Sequence, residues 1–153
     1  MPEYSAIVRT LTLEKFGEVL SASARKARET YFHRHSVRAP SSANRITKPG
    51  AKAEIRTAKL FESLQARQDD ELCEELLRTW LLTKRPMLAA TLDHLKIPHD
   101  NGLTNSDEVS KIEKLSRAEL KELVAVLAPI APHDEIGVYL KFMGASDVDH
   151  VIS

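Results

Sequence analysis

The sequence predicts an all-α protein: a long N-terminal helix followed by a compact C-terminal bundle or array of five to six short helices. Three observations carry that prediction. Apolar residues recur every three or four positions along most of the chain, and no stretch of clean apolar–polar alternation stands out. Leu, Ala, Glu, Lys and Arg dominate beside only five glycines, and these side chains lose little freedom in a helix. Capping residues and prolines fall at the ends of the periodic stretches.

Taken in order, Thr12 to His35 reads as one long helix. Thr12 can cap it, and Leu13, Phe16, Val19, Leu20 and Ala24 follow at helical spacing. The stripe then thins to Ala27, Tyr31 and Phe32. So narrow a face is marginal alone in water, so the helix is expected to pack on the rest of the chain or on another copy. Residues 37–53 read as a basic linker, with Pro40, Pro49 and Gly50 as breakers and no acid among them. The expected organisation is therefore an association helix at 1–36, a linker at 37–53 and a helical domain at 54–153.

Within that domain, Leu60, Phe61 and Leu64 mark a helix ending near Gln68. Asp69, Asp70 and Glu71 supply a cap and first-turn acids for the next, with Leu72, Cys73, Leu76, Leu77, Trp80 and Leu81 on one wide stripe. No Gly or Pro separates the two, which leaves open a single continuous helix. Pro86 suits the first position of a further helix, running to about Lys96. Ile97–Thr104 is a turn, because Asn101 and Gly102 tolerate positive φ. Ser106–Glu108 can open a short helix through Ile112. Ser116 and Glu119 have the spacing of a capping box before Leu120, Leu123, Val124 and Leu127. Pro132, Asp134 and Glu135 start another helix, which Gly144 closes, and Ser146–Asp149 begins one last turn.

Charge is unevenly divided. Residues 1–67 hold 13 Lys/Arg against 6 Asp/Glu, a balance of +7; residues 68–153 hold 9 against 16, a balance of −7. Such asymmetry suits electrostatic pairing, either with a polyanion or between copies of the chain. Asp69–Glu75 and Asp107–Glu113 are the acidic stretches that the basic arm would meet. His33 and His35 extend the basic surface around Arg34. No run approaches the ~18 apolar residues of a membrane span. The N-terminus lacks the pattern of a secretory signal, and the single Cys73 fits a reducing compartment as a buried small hydrophobe. The expected location is cytoplasmic.

No nucleophile elbow, glycine-rich phosphate loop or metalloprotease helix motif is present, so no catalytic residue and no cofactor is assigned. Asp93, His94, His99 and Asp100 cluster around one helix end and have the chemistry of divalent-metal ligands. Their spacing follows no ligand pattern, so they are only reserve candidates for a metal-dependent enzyme. The favoured expectation is a non-enzymatic interaction or assembly module whose partner is a second copy or another protein. Leu13, Phe16, Leu20, Tyr31 and Phe32 would associate, and Arg25, Lys26, Arg28 and Arg34 would steer. The alternative is a nucleic-acid-binding protein that adds Arg38, Arg45, Lys48 and Lys52 to those arginines, since clustered cations neutralise phosphates.

Overall fold

The computed structural model describes residues 3–38 and 51–152, the side chains of 51 and 52 excepted. The fold is all-α: among the described residues extended pairing is limited to one bridge, Asp100 with Leu103. Among the described residues no helix is long and apolar enough to cross a membrane. The chain divides into two compact units, one ending at Trp80 and one beginning at Leu81. The sequence reading places its own divisions at 36 and 53.

The first unit contains α1 (Tyr4–Arg9), α2 (Leu13–Ser21), α3 (Arg25–Arg34), α4 (Ala51–Ala66) and most of α5 (Asp70–Leu81). Here α4 is the hub, with α1, α2 and α3 all packed against it. Leu60 and Leu64 of α4 are fully buried, and Phe61 meets Phe16 of α2 with ring centroids 4.9 Å apart. Residues 51–53 belong to α4 and not to the linker, while the remaining linker positions 39–50 lie outside the described residues.

The long helix predicted over Thr12–His35 is not present. Thr12 does cap α2, its hydroxyl accepting the Lys15 N–H at 3.1 Å. The helix then stops after Ser21, whose hydroxyl turns back onto the Gly17 carbonyl at 2.8 Å. Ala24 is extended at ψ 153° and starts α3 without a side-chain cap. The reason for the break is tertiary. A single helix over that span would be about 36 Å long against about 24 Å for α4. Bending at Ala22–Ala24 lets Phe16, Val19 and Leu20 of α2 and Tyr31 and Phe32 of α3 all be buried while both helices pack on α4. The short α1 was not anticipated, because its stability is also tertiary: Ile7 and Val8 are buried, and its first turn is bonded to the start of α5.

The second unit contains α6 (Arg85–His94), a 3-10 helix (Asp107–Lys114), α7 (Arg117–Leu127), α8 (His133–Phe142) and α9 (Val148–Ile152). Here α7 is the hub, packed by α6, α8 and α9. The capping box forms as its spacing predicts: Ser116 Oγ accepts the Glu119 N–H, and Glu119 Oε1 accepts the Ser116 N–H at 3.1 Å. The turn after α6 closes through paired bonds between Asp100 and Leu103, with Asn101 and Gly102 both at positive φ. A Cβ on Gly102 would lie 2.9 Å from Leu88 Cβ, so only glycine fits there.

Candidate interaction surface

Burial of Leu72 and Cys73 sets α5 in the first unit, and Asp69 begins that helix. Its carboxylate accepts the Leu72 N–H at 3.2 Å, the role of an N-cap. The same carboxylate receives two side chains from the end of α3. His35 Nε2 approaches Asp69 Oδ2 at 2.7 Å, and Arg34 Nη2 approaches Asp69 Oδ1 at 2.8 Å. The other ring nitrogen, His35 Nδ1, lies 2.7 Å from the Ser63 hydroxyl on α4. Arg34 also stands 3.8 Å from Glu71. Ser5 completes the knot, donating its N–H to Asp70 at 2.9 Å and accepting the Asp69 N–H at 3.0 Å. The Ser5 hydroxyl, and then its N–H, hold the Asp70 carboxyl below its usual range.

Ser63, His35 and Asp69 thus form a chain of the atom types used in nucleophilic hydrolysis. The arrangement nevertheless acts as a fastening. The His35 side chain has no exposure, and Asp69 is already occupied by a helix end and an arginine. The network pins α3 to the α4–α5 junction and thereby fixes the slope of α3 across α4. His35, expected on the basic surface, is instead interior.

With α2 and α3 so placed, their outer faces and the first half of α4 enclose two adjoining recesses. The larger, of about 500 Å³, is lined by Leu13, Glu14, Gly17, Ser21, Ala53, Glu54 and Thr57. Leu13 is 47% exposed at its edge, and Gly17 leaves its wall low, with Thr57 Cγ2 3.9 Å from where a Cβ would sit. The smaller, of about 230 Å³, shares Ser21, Ala53 and Thr57 and is flanked by Arg25, Arg28, Glu29 and Arg56. Arg56 grips Glu29 with both prongs, at 2.8 and 3.1 Å, and its guanidinium lies 4.1 Å above the Phe32 ring. That fork, helped by Arg25 and Arg28, keeps the Glu29 carboxyl below its ordinary value of 4.5.

The expected association residues separate into two groups. Phe16, Leu20, Tyr31 and Phe32 are buried, so in this folded state they are core and not free surface. Burial, together with a hydrogen bond to Glu75, pushes the Tyr31 phenol up to about 12. Leu13, Arg25, Lys26 and Arg34 remain exposed, with Arg28 intermediate. Arg34 is spent on Asp69 and Glu71, whereas Arg25 and Arg28 face the smaller recess. Arg38 is exposed; Arg45, Lys48 and the Lys52 side chain lie outside the described residues.

Asp93, His94, His99 and Asp100 do not converge on a common point. His99 Nδ1 accepts the Gly102 N–H at 2.9 Å, and its Nε2 donates to Asp93 at 2.7 Å, so both ring nitrogens are engaged. Asp100 closes the turn through its backbone, and His94 lines a different recess. Among the described residues no group of three or more His, Cys, Asp and Glu side chains could hold a metal ion. No local pattern marks Arg56 as a partner for Glu29, since 27 residues separate them. The one available hint was that Glu29 is the lone acid within the basic stretch.

Comparison with family models, with curated proteins and with solved structures returns no match for this chain.

Proposed function

We propose that this protein is a non-enzymatic interaction module that grips a partner polypeptide along the recess between α2, α3 and α4. The observation that carries the reading is the continuity of the two recesses through Ser21, Ala53 and Thr57. Together they run from Leu13, Glu14 and Gly17, past Ser21, Ala53, Glu54 and Thr57, to an end bearing Arg25, Arg28 and Arg56. The larger recess, at about 500 Å³, is within the range that binds ligands, and the smaller extends it. The charge arrangement selects an amphipathic segment with basic residues at one end, small apolar residues in its middle and acidic residues at the other. Opposed charges set its register and direction. Because the apolar stripe of α2 and α3 is already consumed internally, a foreign segment satisfies this surface without opening the fold, which favours a different protein over exchange of α2 between copies.

A short synthetic peptide with Lys at one end, Leu and Ala in the middle and Glu at the other, titrated into the ¹⁵N-labelled chain, tests the reading. Amide shifts should concentrate on α2 and the first half of α4 and should vanish in Gly17→Leu, whose side chain fills the larger recess. Shifts scattered elsewhere, or unchanged in Gly17→Leu, would refute it. Nucleic-acid binding through Arg25, Lys26, Arg28 and Arg38 remains the competing proposal. It requires affinity for a duplex that falls steeply with salt.

A further inference from the structure

We infer that the arginine end of the recess receives a phosphorylated side chain on the partner, and that Glu29 is the chain's own occupant of that receptor. The inference rests on the interaction reading above and adds the chemistry of its anchor.

Arg56 is built for an oxyanion. Its planar fork already holds one, the Glu29 carboxylate, through two parallel bonds at 2.8 and 3.1 Å. Its face is fixed by the Phe32 ring at 4.1 Å, and only 17% of its side chain is exposed, so little rotamer freedom remains to be lost on binding. Arg25 and Arg28 border the same recess, so three arginines and one glutamate line it. Glu29 itself is half exposed, and its pairing with Arg56 is made by its side chain, so it can swing out without disturbing the core.

Three cations against one anion leave a local balance of +2. A carboxylate or a backbone phosphodiester carries one negative charge, and exchanging it for Glu29 gains nothing in charge. A phosphomonoester carries about −1.5 to −2 at neutral pH and offers three acceptor oxygens, enough for three guanidinium groups. The resident glutamate therefore acts as a threshold that monoanions do not cross and a dianion does. Free phosphate would share this chemistry, but the recess opens into the longer one through Ser21, Ala53 and Thr57. That continuation gives the flanking residues of a polypeptide somewhere to lie.

The test is calorimetry on the full chain with three versions of the peptide described above, bearing serine, glutamate or phosphoserine at the arginine end, and with inorganic phosphate alone. The phosphoserine peptide should bind at least about tenfold more tightly than the other two, as expected when a dianion with three acceptor oxygens takes the place of a monoanion. Inorganic phosphate should bind more weakly than the phosphoserine peptide. Glu29→Gln should tighten the glutamate version and so narrow that gap. Arg56→Lys, which keeps charge but loses the fork, should abolish the preference for phosphate while circular dichroism remains that of the parent. Equal binding of all three peptides would overturn the phosphate receptor and leave the interaction reading standing. Binding by none of them would overturn both. A Glu29→Gln variant no different from the parent would remove the glutamate from its assigned role. Phosphate preference confined to inorganic phosphate would assign the receptor to a small anion, not to a partner.

Discussion

The His35 ring stands 2.7 Å from the Asp69 carboxylate with none of its side chain exposed, joining the last turn of α3 to the first of α5. Two jobs meet on one residue, because Asp69 also caps α5. Asp69→Ala should therefore cost about 3 kcal/mol, the toll of stranding buried polar partners and losing a cap together. Asp69→Asn should cost visibly less, since an amide oxygen still caps. Urea unfolding of the two variants reads the difference, and equal midpoints would show that the bonds to Arg34 and His35, and not the cap, carry the effect.

Glycine substitutions should move stability in opposite directions at two sites. Gly17 lies within α2, where a Cβ would make ordinary contact with Thr57 Cγ2 at 3.9 Å, so Gly17→Ala should stabilise by about 0.5–1 kcal/mol. Gly102 sits at φ +85° with Leu88 Cβ and the Ala89 backbone against it. There, Gly102→Ala should destabilise by more than about 1 kcal/mol. Thermal melts in which both shift the same way would contradict the described backbone.

Acid sensitivity should have a local source in the capping box of α7. The Ser116 N–H, and then its hydroxyl, hold the Glu119 carboxyl below 4.5 in the folded chain. A carboxyl depressed on folding contributes stability above its unfolded pKa, and that contribution is lost as pH falls through the folded value. Glu119→Gln should accordingly be less stable at neutral pH and lose less on acidification below about 4.5. Parallel stability–pH curves for parent and variant would exclude this source.

Cys73 should behave as packing. Burial, aided by the nearby Asp69 and Asp70 charges, pushes its thiol up from 9.0 to about 11. The thiolate population at mildly alkaline pH is then about a hundredfold below that of a free cysteine, and the thiolate is the reactive form. Ellman's reagent should label the folded protein slowly and the urea-unfolded protein at once. Rapid labelling in the folded state would show an accessible thiol.

Features decided within a few residues were legible beforehand. The Ser116–Glu119 box, Pro86 at the start of α6 and the Asn101–Gly102 turn are all local chemistry, and each lies where the sequence put it. What escaped depended on partners distant in the chain. The continuous periodicity from Leu13 to Phe32 carries no record of how long α4 is, so the break at Ala22–Ala24 was invisible. His35 looked like surface because its neighbours are basic, whereas Ser63 and Asp69, 28 and 34 residues later, draw it inside. The arginines of α3 were legible as charge, but their geometry around Glu29 depended on Arg56 from another helix.

The bonds that close the first unit have a consequence for biosynthesis. Ser5 is joined to Asp69 and Asp70, and His35 to Asp69, so α1 waits for partners translated some 65 positions after it. A nascent chain halted before α5 would carry α1 to α4 without their clasp, leaving greasy helix faces open to chaperones until the ribosome moves on.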